Sequence, residues 1–247
     1  MSVREVLWRN SLFRSAYYRA KGIPRPPLIS ANGQSDECRM IAHLAKWAPR
    51  TFVEFGFHAS EFNCASLAQS RRWKGLLIDG NPHVIADAKT LPDHIKVVQS
   101  FLTLDNLDFI RNAFDRIGVL SIDIDGNDYW MLKALIDMSP SVICIEYNAT
   151  FGLRPITVPY APLFDRHEKH ASGWYHGASI TALAKLAASY GYGLAAVSEA
   201  GLNAFFTRRG KLGPEKAWKP NKLRQHYSGV PYERQWEVIE HMPFVEV

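Results

Sequence analysis

The chain has 247 residues, 47% of them apolar and 21% charged, and a net charge of +5, a profile that excludes fibrous and disordered classes and fits one large domain or one domain with terminal additions. The charge is concentrated at the ends: residues 1–25 hold six Lys/Arg against one acid and residues 208–224 hold seven against Glu215, whereas residues 26–207 hold 15 Lys/Arg against 18 Asp/Glu. No apolar run reaches the ~20 residues that cross a bilayer, and no export-signal core is present near the start, so a cytoplasmic protein is expected.

Val3 to Arg19 reads as an amphipathic helix, with apolar Val3, Val6, Leu7, Phe13, Ala16 and Tyr17 between arginines. Pro24-Arg25-Pro26-Pro27 stops it as a stiff linker. A second helix is expected from Glu37 to Trp47, ending before Pro49. Residues 1–49 thus form an N-terminal helical extension. The core follows at 50–207, with strands expected at 51–55, 75–79, 95–98, 117–123, 141–146, 192–198 and 202–207. Helices are expected near 60–72, 82–90, 104–114, 127–138 and 179–190. The near-continuous apolar runs at 117–122 and 142–145 suit strands buried on both faces. Alternating strands and helices imply right-handed crossovers. Only Glu199-Ala200-Gly201 separates the last two strands, which must therefore pair antiparallel. The expected fold is α/β: a doubly wound, Rossmann-like, seven-stranded sheet, mostly parallel with a final antiparallel hairpin and helices on both faces. Residues 149–178 form a long insertion, which suggests function, and residues 208–247 a C-terminal extension. That extension carries Trp218, Tyr227, Tyr232 and Trp236, too aromatic for a disordered tail. Packing on the body, capping the substrate site and forming a homodimer contact are all open to it.

Ligands of open α/β sheets bind at the carboxyl ends of the strands. The first strand ends Glu54-Phe55-Gly56-Phe57 and the second Asp79-Gly80-Asn81. An acid ending the second strand is placed to accept hydrogen bonds from ribose hydroxyls. The first turn lacks the G-x-G-x-x-G that brings backbone close to a pyrophosphate; Gly56 stands alone. The pattern points to a nucleoside cofactor without phosphate, such as S-adenosylmethionine. Glu54, Gly56, Phe57, Asp79, Gly80, Asn81 and Asp123 are the candidate cofactor-binding residues. Asp123 and Asp125 end the fourth strand and Glu146 the fifth. These oxygens form a candidate site for a hard cation such as Mg²⁺, with Asp125 as turn residue and Asp123 as cofactor orienter the alternative roles. In the insertion, Arg154, Tyr160, Tyr175 and His176 are the candidate substrate-binding residues, aromatic and cationic groups suited to a polar ring. His176 is the candidate general base because imidazole titrates near working pH. Ser179 is the expected N-cap of the next helix. Cys38, Cys64 and Cys144 form no C-x-x-C pair and read as reduced thiols.

The segments Phe52-Val53-Glu54-Phe55-Gly56, Gly75 to Asn81, Leu120 to Asp128, Ile145-Glu146-Tyr147-Asn148 and Gly177-Ala178-Ser179 resemble an FkbM-type class I methyltransferase. The most specific string is Ile122-Asp123-Ile124-Asp125-Gly126-Asn127-Asp128, similar to the family's I-D-x-E-G. The resemblance covers roughly residues 50–207. It implies S-adenosylmethionine-dependent methylation of a hydroxyl, with a sugar or glycoconjugate as acceptor. Glu54 and Gly56 would hold the methionine end, Asp79 the ribose, and Asp123 would sit beside the transferring methyl as a catalytic residue. His58 and Ala59 stand where such enzymes commonly carry further glycine. Nucleic-acid methylation is a competing reading from the basic ends, but the fourth strand lacks D/N-P-P-Y/F. A degenerate methyltransferase-fold binding subunit is another. The basic termini also suit peripheral contact with an anionic membrane.

Overall fold

The structure, a computed structural model, describes residues 35–58, 61–88 and 91–247. The helix expected at Val3–Arg19 and the proline linker lie outside the described residues.

Seven strands form the main sheet: β1 (Thr51–Phe55), β2 (Lys74–Asp79), β3 (Ile95–Gln99), β4 (Val119–Ile122), β5 (Val142–Glu146), β7 (Gly193–Val197) and β8 (Asn203–Thr207). Two short strands, β6 (Ile156–Thr157) and β9 (Val245–Glu246), pair with each other outside it. The strand order is β3-β2-β1-β4-β5-β8-β7. Pairing is parallel from β3 to β5, and β8 joins both β5 and β7 antiparallel. The expected doubly wound sheet and its closing hairpin are present, with β8 inserted between β5 and β7.

Successive strand residues face opposite sides, and each side buries its own cluster. Val53, Phe55, Leu120, Ile122, Ile143 and Ile145 pack with α5 (Asp128–Leu135) and α7 (Ile180–Ser189). Phe52, Leu77, Val119 and Cys144 pack with α1 (Glu37–Leu44) and α2 (Ala65–Ala68). Ser179 caps α7 as expected, its side chain accepting from the Ala182 amide.

Several helices are shorter than expected. Among its described residues, the segment expected to be helical over 60–72 holds the single turn α2, because Glu54 takes the amides of Asn63 and Cys64 and fixes residues 61–64 as an irregular turn. Along 82–90 the helix is α3 (Pro82–Asp87), capped by Asn81. Along 104–114 it is α4 (Asp108–Arg111). There the Asn106 side chain accepts from Thr103 N and donates to Phe101 O, satisfying the backbone without a helix.

The insertion carries β6 and a single helical turn, α6 (Arg166–Lys169). The C-terminal segment, with α8 (Pro214–Ala217), α9 (Lys222–Ser228) and α10 (Tyr232–Gln235), folds back over it. Phe151, Ile156, Val158, Phe164, Tyr175 and Ile239 form a third cluster between the two, closed by the β6–β9 pairing. The C-terminal segment therefore packs on the body.

Candidate active site

The strand order reverses between β1 and β4, which opens a crevice at their carboxyl ends. Two chambers meet there. The first, about 520 Å³, lies over β2, β1 and β4 and is lined by Gly56, Asp79, Gly80, Asn81, Phe101 and Asp123, among others. The second, about 490 Å³, lies toward β5 and is lined by Glu54, Phe57, Phe62, Glu146, Trp174 and Arg224, among others. Gly56, Asp123, Asp125, Arg166 and His167 line both. Each volume falls in the range of small-molecule sites.

Gly56 is required by geometry. Its φ is +79°, and a Cβ there would lie 1.4 Å from the Asp123 carbonyl oxygen. The end of β1 is held on both sides, by Gly56 N donating to Ile78 O of β2 (3.1 Å) and by Asp123 N, just past β4, donating to Phe55 O (3.1 Å). Glu54 is fully committed to the turn that follows: its carboxylate accepts from Asn63 N at 2.7 Å and Cys64 N at 2.8 Å. Burial pushes its pKa up to about 7 against those donors. Asp79 is anchored by Asn81 N (2.7 Å), and partial burial raises its pKa. Phe101, just beyond β3, is 52% exposed despite its size and forms a wall of the first chamber.

The loop 123–128 is tied by its own acid. Asp128 is buried, and its two oxygens accept from Ile124 N (3.0 Å) and Gly126 N (2.9 Å). Burial first, then Glu146, raises its pKa to about 6. Asp125 takes positive φ (56°) and pairs with Arg166 of α6. Asn127 reaches across to the insertion, exchanging two hydrogen bonds with Ala161. Asp123 stands at the junction of the chambers. Burial, followed by Glu146, Asp125 and Asp128, raises its pKa well above the carboxylate range.

The expected cation site gathers differently from the sequence reading. Asp125, Glu146 and His176 bring ligand atoms within 4.8 Å of one another, and Asp123 is not in that trio. The trio does not suit a metal in this arrangement. Arg224 Nη2 faces His176 Nε2 at 2.9 Å. A guanidinium only donates, so Nε2 keeps its lone pair and the ring proton sits on Nδ1, pointing at the acids. Arg166 already neutralises Asp125. The same tautomer corrects the general-base role expected of His176: its one lone pair is taken by Arg224, and burial followed by Arg224 lowers its pKa to about 3.

The substrate-binding expectations at Arg154, Tyr160 and Tyr175 are also corrected, since none lines either chamber. Arg154 stacks on Trp236 of the C-terminal segment, 4.0 Å from its centroid. The Tyr160 hydroxyl accepts from Leu104 N. Tyr175 is buried in the third cluster and donates to Pro243 O. Each fastens the insertion to its surroundings. The insertion residues that do face the chambers include Phe164, Arg166, His167 and Trp174. Sequence reasoning missed Phe101 and Arg224. The rule that placed Asp79 also covers Phe101, since both follow strand ends. Arg224 carried no signal, because it arrives from a helix 78 residues beyond Glu146.

The fold and the crevice define an open, doubly wound α/β protein with a two-chambered site at its topological switch point. No protein-family model matches the chain, and no curated protein does. Its backbone is similar to that of an O-methyltransferase from Bacillus cereus in complex with SAH, at 15% identity and TM-score 0.48, over 77% of this chain and 86% of that one. It is also similar to the N-terminal domain of EvdMO1 in the presence of SAH and D-fucose, at 11% identity and TM-score 0.45, over 69% and 79%. A third is the methyltransferase domain of a bacterial CtHen1-C, at 17% identity and TM-score 0.46, over 72% and 98%. At these identities and TM-scores, no role passes from those proteins to residues of this chain.

Proposed function

We propose that the protein is an S-adenosylmethionine-dependent methyltransferase acting on a hydroxyl oxygen of a small molecule, a sugar or glycoconjugate. The observation that carries the reading is the lone-glycine turn at Gly56, pressed against the Asp123 carbonyl at the switch point with Asp79 lining the same chamber. A pyrophosphate needs a longer glycine-rich turn; a nucleoside with a short amino-acid tail does not. The residues present fit such a cofactor. The Asp79 carboxylate accepts from ribose hydroxyls, and the Phe101 ring offers a face to the base. Asp123 and its acidic neighbours form a favourable setting for a sulfonium cation. When bound, the cofactor supplies an electrophilic methyl group; the chain holds the acceptor in line and excludes water. The acceptor reading rests on the second chamber, where the Phe57, Phe62, Trp174 and Tyr227 rings alternate with Glu61, Glu146 and Arg224. Apolar faces with convergent polar groups suit a polyhydroxyl ring.

Saturation-transfer NMR with S-adenosylhomocysteine tests the reading. Ribose and adenine protons should take up saturation from the wild-type protein, and much less from Asp79→Ala. No transfer to either proton set from the wild type would reject it.

A further inference from the structure

We infer that Glu146 takes the proton from the acceptor hydroxyl, and that Arg224 and His176 hold it in position where the acid cluster would otherwise call for a metal. The inference rests on the methyltransferase reading and assigns its base.

Glu146 ends β5, lines the second chamber, and neighbours Asp123 across the β4–β5 pair. His176 Nδ1 lies 3.4 Å from its Oε2, and neither atom has another hydrogen-bond partner among the described residues. The His176 side chain is 1% exposed, so its ring proton faces Glu146 rather than open solvent. Arg224 fixes that proton. It donates to His176 Nε2, to Asn148 Oδ1 at 2.8 Å and to Thr150 Oγ1, three acceptors on the elements that flank the chamber. A cation on Nδ1 would require the opposite tautomer, with a ring N–H facing a guanidinium N–H. A guanidinium and a neutral imidazole thus occupy the roles of counter-ion and orienter around Glu146.

The other groups facing this point are less able to accept a proton. Asp125 is paired with Arg166. Both oxygens of Asp128 accept backbone amides. Asp123 stands at the junction of the chambers, where its carboxylate faces the cofactor as well as the acceptor. Burial raises the pKa of Glu146, with Arg166 and then Arg224 acting the other way, and its Oε2, with no hydrogen-bond partner among the described residues, has a lone pair to spare for a proton. A carboxylate whose pKa is raised is a better base than a free one.

The step balances. The hydroxyl oxygen bonds to the methyl carbon as the carbon–sulfur bond breaks, its electron pair remaining on sulfur. The hydroxyl proton passes to Glu146. A sulfonium and a carboxylate become a thioether and a carboxylic acid, and the acceptor becomes a methyl ether.

The test uses full-length protein carrying ¹⁵N-histidine and ¹³C-carboxyl glutamate, with Glu146→Gln and His176→Asn assigning the signals. At about pH 7.5 the His176 ring should be the neutral Nδ1–H tautomer and Glu146 should be ionised. Titration with Mn²⁺ to about 1 mM should give no saturable binding. The His176 tautomer should shift in Arg224→Met while remaining in Arg224→Lys, a response that loss of packing alone would not produce. An Nε2–H tautomer, a protonated Glu146, or one equivalent of Mn²⁺ bound in wild type and lost in Glu146→Gln would each overturn the proposal. S-adenosylhomocysteine is titrated in the same samples. If it fails to bind, the methyltransferase reading falls and the base role with it; if it binds while Glu146 is protonated, only the base role falls.

Discussion

Replacing Gly56 by alanine tests the close approach on which the first chamber depends. The backbone there is left-handed (φ +79°), which costs a residue with a Cβ about 1–2 kcal/mol. The added Cβ would also sit 1.4 Å from the Asp123 carbonyl oxygen and 2.3 Å from its carbon. Both neighbours are backbone, so the Gly56 turn must move away from Asp123, weakening the Gly56–Ile78 hydrogen bond to β2 and the Asp123–Phe55 hydrogen bond from the end of β4 at about 1 kcal/mol each. The expected loss is about 3–4 kcal/mol, a fall in melting temperature of about 6–16 °C for a chain of this size. Gly229→Ala is the control. Its φ is +70°, yet nothing lies within 4 Å of the added Cβ, so only the strain of about 1–2 kcal/mol applies. Thermal and urea melts of both variants, with calorimetry of S-adenosylhomocysteine, provide the readout. Gly56→Ala should be the less stable of the two and should bind the ligand at least tenfold more weakly than wild type. Equal melting temperatures for the two variants, or undiminished binding by Gly56→Ala, would refute the close-approach argument.

Three further outcomes are expected. Asp79→Ala should lower affinity for S-adenosylhomocysteine by about 10–100-fold, the loss of charge-assisted hydrogen bonds worth about 1.5–3 kcal/mol, with the melting temperature nearly unchanged; calorimetry reads both the affinity and the stoichiometry. Glu54 has its pKa raised from 4.5 to about 7, so the folded state binds its proton more tightly than the unfolded chain does. This group's contribution is fully present below about pH 4.5 and is lost as pH rises through about 7, by at most about 3 kcal/mol; urea midpoints across that window should show the decline in wild type and a flatter profile in Glu54→Gln. Asn127→Ala should release the insertion from the loop 123–128 by removing both hydrogen bonds to Ala161, and hydrogen exchange should quicken at the Ala161 amide while β1 and β4 stay protected.

The sheet was legible because its strands are near-continuous apolar runs ended by acids, as at Val119–Ile122 before Asp123 and Val142–Ile145 before Glu146. Those endings also mark the crevice, since the carboxyl ends of parallel strands lie at its rim. The helix after β1 was not legible. Its length is set by Glu54 reaching across to the Asn63 and Cys64 amides, a contact that no periodicity encodes. The insertion misled for a related reason. Arg154, Tyr160 and Tyr175 have the chemistry of ligand-binding groups but spend it on Trp236, Leu104 and Pro243. The role first given to His176 was displaced by Arg224, which reaches the site from α9; composition marked that segment only as basic.

The most direct measurement is calorimetric titration of S-adenosylmethionine and S-adenosylhomocysteine into the full chain, with EDTA throughout. The account predicts one equivalent of each bound at micromolar affinity (about −8 kcal/mol) without any metal. Absence of heat and of a shifted melting temperature with both ligands would contradict it and leave the crevice to another occupant.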